Sequence, residues 1–521
     1  MLSRLFHVCG KFRRCLNVNV SIPIAPPNTS QSLSPTLISF SIEQDRWPEW
    51  VGVQNRNEFT FNALDNYARL TGEPPKLRVG ADSEDRTTWS PDVDIVEATF
   101  PPSDAATPYP EASNISVGDG FYELSKFLPP GTVMTWGVNF GANNVTNAIN
   151  MAKSIVKAFD TEAVKKSQVK LGMIEVGNEP DIYTFTGHRD SDWSVEEYVS
   201  QWEANAGPVA QGAELKKGGV TFQGASFGVF LFTPRQIFDL GILDSEPGKL
   251  ITTISQHRYS INTLATGNIS LSSVLNKANI RSNLTLWQAD IAATKQRGLR
   301  YVIGETGSAA FHGAPEISNT AGAALWVIDY ALQAATLGID ELFFHEGVGY
   351  KYNFLQPMSL NRSILDNTPL DPPQAPHVMP SYYAGILVND LIGNSGPAKI
   401  VELLIPDDNV SGYAVYEGDT LKRAVFVNLH TWLSSSPGTR PSVHIDLSFS
   451  DIAKFRGKTV KVERLLINHA DDTQNLTFAG QSFETSDARP SGKAVEESIK
   501  IGEGLNIRST EAVLVTFQCF W

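Results

Sequence analysis

The chain has 521 residues, of which 42% are apolar, with 27 Phe, 14 Tyr and 10 Trp; this suits two packed domains and excludes a disordered or low-complexity protein. Its 56 acidic and 42 basic residues leave a net charge of -14, which weakens nonspecific attraction to nucleic acid or anionic lipid. Three cysteines, Cys9, Cys15 and Cys519, cannot build a dense disulfide framework, and no CxxC pair suggests a metal or redox site.

At the N-terminus, Met1 to Gly10 is followed by Lys11, Arg13 and Arg14 without the sustained apolar run of a signal peptide. Asn17 to Ile24 alternates like a strand and is expected to cross back to a later β-domain. From residue 35 the pattern becomes strand, loop, helix. Leu37–Glu43 reads as the first strand, and Phe59 to Leu70 as its helix, with Phe61, Leu64, Tyr67 and Ala68 on one face. Further strands are read at 76–80, 132–140, 170–176, 220–226, 250–255, 301–304 and 341–344. Helices are read at 144–159, 194–216 with a break near Gly207-Pro208, 234–240, 283–295, 320–337 and 382–391. Short, mostly apolar strands separated by helices mean a parallel sheet covered by helices. Eight such units over residues 35–394, with no GxGxxG after the first strand and no Walker sequence, predict a (β/α)8 TIM barrel.

Around Pro369 to Pro380 the composition shifts, and from about Lys399 the period becomes that of strands. Ile400–Ile405, Tyr413–Tyr416, Arg423–Asn428, Val443–Leu447, Thr459–Leu466 and Glu511–Phe517 are separated by turn signals. Residues 395–521 are therefore expected to form a C-terminal all-β sandwich, with residues 1–34 an N-terminal segment that adds a strand to it. No stretch of about 18 apolar residues suggests a membrane span, and no basic stripe suggests a nucleic-acid partner.

In a closed parallel barrel, chemistry sits at the carboxyl ends of the strands. Glu179 follows Met173-Ile174-Glu175-Val176-Gly177-Asn178, and Glu305 follows Tyr301-Val302-Ile303-Gly304, so apolar strands four and seven deliver both to the rim. Two rim carboxylates with no cofactor or metal motif point to glycoside hydrolysis. One donates a proton to the leaving oxygen; the other attacks or orients water. The competing reading for either glutamate is a buried ion pair or a helix cap.

Six stretches in order carry a resemblance: Ser39–Glu43, Leu77–Arg86, Trp136–Gly141, Glu175–Asp181, Gln256–Tyr259 and Gly304–Thr306. The sequence resembles glycoside hydrolase family 79, the β-glucuronidase and heparanase-like family of the retaining barrel clan. The resemblance implies a double displacement with Glu179 as acid/base and Glu305 as nucleophile, supported by Asn178 on the substrate 2-hydroxyl and by Tyr259 beside Glu305. It implies a glycan or glycoside substrate, no cofactor and no metal. Glu43, Asp82, His257, Trp136, Glu346 and Tyr350 are assigned to substrate binding, with His345-Glu346 read as a third rim pair at strand eight for substrate contacts or support. Glu43 and the Asp82–Arg86 cluster have a salt-bridged rim as competing reading, and His257 a hydrogen-bonded scaffold role. Trp47 and Trp50 are further stacking candidates, and Lys351 is a candidate partner for a substrate carboxylate.

Terminal β-D-glucuronides, 4-O-methylated ones among them, are the expected substrates. Two departures bear on that. The family's Gly-Gly-Asn/Ser-type turn after strand two is here Gly80-Ala81-Asp82, and Thr306 to Gly313 carries no tyrosine. A neutral β-glycosidase, such as a β-glucosidase, is the nearby alternative, and a non-catalytic carbohydrate-binding protein the alternative of another class. Relatives of this kind are exported, so a secreted glycoprotein is expected, with an intracellular enzyme as alternative. Nine Asn-x-Ser/Thr sequons, at Asn19, Asn28, Asn114, Asn144, Asn268, Asn283, Asn361, Asn409 and Asn475, agree with export.

Overall fold

The structure is a computed structural model that describes residues 15–262, 269–449 and 457–517. Cys9, Cys519 and the sequon at Asn268 lie outside the described residues. Eight strands close into a barrel: Ile38–Glu43 (β1), Leu77–Gly80 (β2), Val133–Val138 (β3), Lys170–Val176 (β4), Thr221–Phe227 (β5), Ile251–Ile261 (β6), Arg300–Ala309 (β7) and Glu341–Glu346 (β8). Each is parallel to its neighbours in chain order, and β8 pairs with β1. Strands β6 and β7 run several residues past the ends expected from the sequence. They remain hydrogen-bonded from Thr253↔Arg300 to Ile261↔Ala309, which places Tyr259 and Glu305 on strand rather than in a turn.

The helices form where amphipathic stretches meet capping residues. Glu58–Thr71 is N-capped by Asn57, whose side chain accepts from the Phe59 and Thr60 N–H groups, and it ends at Gly72 with φ of 83°. It buries Phe59, Ala63, Leu64 and Tyr67, each large apolar side chain contributing roughly 1.5–3 kcal/mol. Two helices differ from expectation. Val195–Gly212 runs through Pro208, giving up the one hydrogen bond that an imide nitrogen cannot donate. The stretch expected as one helix at 283–295 is two, Lys277–Thr285 and Gln288–Gln296, with Trp287 buried between them.

Between β2 and β3 the chain inserts a small sheet of Thr87–Trp89, Val96–Thr99 and Asn114–Val117. Its loop, residues 100–113, is carried to the barrel mouth.

The C-terminal domain is two sheets. The larger holds Ala398–Glu402, Val410–Glu417, Thr420–Asn428, Glu511–Thr516 and Thr459–Leu466, with Gln31–Leu33 on the edge beside Ala398–Glu402. The smaller pairs Cys15–Ile22 parallel to Ser442–Phe449, itself antiparallel to Leu505–Arg508. Val18, Val20, Ile22, Tyr416, Phe426, Val443, Ile445 and Val513 fill one core between the sheets. Helix Ala321–Thr336 is buried along nearly its whole length. The N–H groups of Ala321 and Gly322 at its start donate to the Asp472 and Ala470 carbonyls of the β-domain, at 2.7 and 2.8 Å. Orphan donors of a helix end are thus satisfied across the domain boundary. Among the described residues no helix is long and apolar enough to cross a membrane.

Candidate active site

The mouth of the barrel gathers carboxylates around the Arg78 guanidinium. In β2, Leu77 and Val79 point outward and Arg78 inward, following the two-residue period of a strand. Arg78 is fully buried. Its Nε donates to Glu175 Oε1 at 2.7 Å, Nη1 to Glu305 Oε2 at 3.0 Å and Nη2 to Asn178 Oδ1 at 2.7 Å. Tyr259 donates its hydroxyl to the other Glu305 oxygen at 2.7 Å. Glu305 is therefore held at both oxygens before any ligand arrives.

Glu179 is delivered differently. Chain reversal after β4 uses Gly177 at φ of 84° and Glu179 itself at φ of 47°, a left-handed conformation that a glutamate adopts at a cost. At Gly177 a Cβ would meet the Tyr183 hydroxyl and the Phe140 ring, so only glycine fits that step. The Glu179 N–H donates to the Ser226 carbonyl at 3.0 Å, and Glu179 Oε1 lies 2.9 Å from His257 Nδ1. One oxygen of Glu179, one of Glu305 and a ring nitrogen of His257 all lie within 4.8 Å of one another. Such a trio could hold a cation, but Arg78 already supplies a positive charge to Glu305.

The two carboxyls are pushed in opposite directions. Burial, and then the charge of Glu305, raise Glu179 to about 8. Burial acts the same way on Glu305, but His345, His257, Arg78 and the Tyr259 hydrogen bond outweigh it and hold Glu305 at about 2. Burial pulls His257 down to about 4, so it is neutral at ordinary pH and the charge effect on Glu305 comes from His345 and Arg78. Burial alone would also lower His345; Glu305 and the contact with Glu43 lift it to about 9. Its Nε2 is 3.3 Å from Glu43 Oε1, and its Nδ1 is 3.8 Å from Glu305 Oε2.

Of the remaining sequence candidates, Glu43, Asp82, His257 and Tyr350 stand at this mouth. Glu43 Oε2 accepts from the Ser83 N–H at 3.2 Å and from the Ser83 hydroxyl. Asp82 Oδ1 accepts from Asn178 Nδ2 at 2.9 Å, so both ends of the Asn178 amide are oriented. Burial, and then the charge of Glu179, raise Asp82 well above the ordinary range. His257 is fully buried behind Glu179.

Three expectations are corrected. Trp136 is fully buried and packs edge-on against Trp47 at 5.4 Å and Tyr122 at 5.0 Å. It lies on the outer face of β3, so neither it nor the buried Trp47 and Trp50 can stack on a sugar. Glu346 also points outward, one residue after inward-facing His345. Its carboxylate accepts the Phe354 and Leu355 N–H groups at 2.8 and 3.3 Å, so it shapes the loop after β8 instead of touching a ligand. Lys351, for which a solvent-exposed lysine was the competing reading to a partner of a substrate carboxylate, is buried, and no ion pair involves it among the described residues.

One functional residue was missed by the sequence reading. Glu111, from the inserted loop, accepts from Tyr350 Oη at 2.8 Å and pairs with His312 Nε2 at 2.7 Å. The His312 and Tyr350 rings stack at 3.8 Å, and Tyr350 lies 5.7 Å from the His345 ring. Three loops thus join into one polar wall beside Glu43 and Glu305. His345, read with Glu346 as a rim pair, does stand at the mouth beside Glu43 and Glu305; Glu111 had no local signal. A hollow of about 530 Å³ near Phe159, Leu171 and Val220 lies at the opposite, amino-terminal end of the strands.

Residues 412–514 match the glycosyl hydrolase family 79 C-terminal beta domain. The whole chain is similar to the β-glucuronidase of Aspergillus niger, 27% identical over 530 residues, covering 95% of this chain and 91% of that one. It is 25% identical to the β-glucuronidase of Neurospora crassa, covering 96% of both. The chain is a glycoside hydrolase similar to the family 79 β-glucuronidases. A 4-O-α-L-rhamnosyl-β-D-glucuronidase from Fusarium oxysporum 12S shares the fold, with a TM-score of 0.79 and 22% identity over 96% of this chain and 100% of that one. A family 51 arabinofuranosidase from Xanthomonas axonopodis pv. citri shares it more distantly, with a TM-score of 0.61 and 13% identity over 96% and 100%. As expected from the sequence, the architecture is a TIM barrel joined to a β-rich C-terminal domain.

Proposed function

We propose that the protein is a retaining β-glycosidase that removes terminal β-D-glucuronosyl groups, 4-O-methylated ones included, from glycans or glycoconjugates. The observation that carries this is the close approach of Glu179 and Glu305, with one oxygen of each within 4.8 Å, and their opposed pKa displacements. Retaining enzymes hold their carboxyls about 5–5.5 Å apart, whereas inverting enzymes leave room for a water. Glu179, protonated at neutral pH, donates to the glycosidic oxygen as ionised Glu305 attacks the anomeric carbon. Glu179, now ionised, then takes a proton from the water that releases the sugar from Glu305. Arg78 and Tyr259 keep Glu305 aimed, and the Asn178 amide, fixed by Arg78 and Asp82, offers its remaining N–H to the 2-hydroxyl.

The glucuronyl preference is supported by the two β-glucuronidases similar over the full chain. His345 adds a positive charge to the floor of the pocket, and Arg86 lies 3.8 Å from Asp82, so an anionic sugar meets less repulsion than the number of carboxyls suggests. The neutral-glycoside reading keeps one observation in its favour: Glu43, Asp82 and Glu111 all stand around the pocket.

Matched aryl β-glucuronides with and without a 4-O-methyl group, β-glucosides, β-galactosides and β-xylosides separate these readings. The glucuronides are expected to be hydrolysed fastest; preference for a neutral glycoside would overturn the sugar assignment. With Glu305→Gly, azide should restore turnover and give an inverted glycosyl azide. With Glu179→Ala, azide should give the retained product from an activated substrate. An exchanged pattern would reverse the two roles.

Export is proposed as well. Eight sequons lie among the described residues, and none of their asparagines is buried. A native protein whose mass does not change on enzymatic removal of N-glycans would refute this.

A further inference from the structure

The barrel mouth is asymmetric. Loops after β1, β2, β7 and β8 build the polar wall of Glu43, Asp82, Glu111, His312 and Tyr350. The rim that follows β5 is apolar. Val229, Phe230 and Leu231 follow β5 directly and are 42%, 46% and 52% exposed. Phe230 stacks on Trp287 at 4.4 Å and 22°, and the adjacent Leu286 is 55% exposed. Single exposed hydrophobes are ordinary, but a contiguous group on a fixed backbone marks a binding surface. This backbone is fixed: Asp181 accepts the N–H groups of Gly228 and Val229 at 2.8 and 2.9 Å.

The position of the rim relative to Glu179 gives it a use. A Cβ on Gly228 would fall 2.4 Å from the Glu179 carboxyl carbon, so the rim begins one residue from the proposed proton donor. The donor must reach the oxygen that departs, and the sugar is enclosed by the polar wall on the other side. The departing group therefore lies over the end of β5.

We infer that Val229, Phe230, Leu231 and Leu286 form the leaving-group site, and that it takes an aglycone with a flat apolar body, a phenol or fused-ring alcohol. This rests on Glu179 being the proton donor. Phe230, half-exposed between Trp287 at 4.4 Å and the Arg258 guanidinium at 5.9 Å from its centroid, offers aromatic surface to such a ring, and Val229 and Leu231 extend the contact. A polysaccharide leaving group would call for hydroxyl-binding side chains, which these four positions do not supply.

The test compares wild type with Phe230→Ser/Leu231→Ser on methyl and 2-naphthyl glycosides of whichever sugar the enzyme hydrolyses. Using ratios of variant to wild type for each substrate cancels intrinsic leaving-group ability. The double variant is expected to lose roughly tenfold in kcat/KM on the naphthyl glycoside, the scale of a lost apolar contact. The methyl glycoside should change less than about twofold, because methyl cannot reach the rim. Phe230→Tyr should retain the naphthyl preference, which guards against a misfolded variant. Equal losses on both substrates, no loss on the naphthyl substrate, or an equally large loss on an oligosaccharide would each overturn the inference. Failure of the sugar assignment leaves this comparison intact, and failure of azide rescue at Glu179 is read separately.

Discussion

Arg78 Nη1 donates to Glu305 Oε2 at 3.0 Å from a side chain that has no solvent exposure, while Nε of the same guanidinium holds Glu175. One buried cation thus neutralises both the barrel interior and a carboxylate at its mouth. Removing it with Arg78→Ala leaves buried carboxylates unpaired, at a cost of about 3–5 kcal/mol. Urea unfolding should show that loss. Arg78→Lys should recover part of the stability but little activity, since a point charge cannot serve Glu175, Glu305 and Asn178 together.

The opposed displacements of Glu179 and Glu305 set a pH profile. Glu179 must be protonated and Glu305 ionised, so kcat/KM should fall as pH rises through about 8, where Glu179 loses its proton. Ionised Glu305 persists down to about 2. His345→Asn removes a charge that holds Glu305 down, so the acidic limb should move to higher pH. An unmoved limb would assign that limb to another group.

His345 also links pH to stability. Its folded-state pKa of about 9 exceeds the ordinary 6.5. Its contribution is therefore complete below about 6.5 and lost as pH rises through about 9. The difference in urea midpoint between wild type and His345→Asn should shrink between pH 6 and pH 10. A constant difference would mean that packing, not charge, is what the histidine supplies.

Glu111→Gln keeps the size of the side chain but weakens the clasp on His312 and Tyr350. Burial would raise Glu111, yet the hydrogen bond and charge of His312 and the Tyr350 hydroxyl hold it at about 2. Charge-assisted hydrogen bonds of this kind contribute about 1.5–3 kcal/mol. KM should rise roughly tenfold on this scale, with kcat changed much less. A fall in kcat at constant KM would place Glu111 in the chemical step instead.

Arg281 ties the barrel to the β-domain, meeting Asp329 at 2.8 Å and Glu402 at 2.6 Å, with Tyr413 Oη 2.6 Å from Asp329. Arg281→Ala strands fully buried Asp329 and should cost about 3 kcal/mol. Unfolding in urea should become two separable transitions if this junction couples the domains. A single transition at the wild-type midpoint would contradict it.

Much of this was legible in the amino acids alone. Alternating apolar strands and amphipathic helices specify a barrel, and the Gly-Asn-Glu-Pro turn and the Gly-Glu after β7 deliver Glu179 and Glu305 to its rim. Those signals are local, carried by side-chain periodicity and backbone freedom. Facing direction was not legible, because both sides of a barrel strand are buried and an apolar run does not reveal its phase. Trp136 and Glu346 therefore turned outward, while Arg78 and His345 turned in. Nor was the Glu111 wall, whose partners lie 201 and 239 residues away. Only closure of the barrel brings such loops together, and hydrogen bonds across that distance follow from chain geometry that no local pattern encodes.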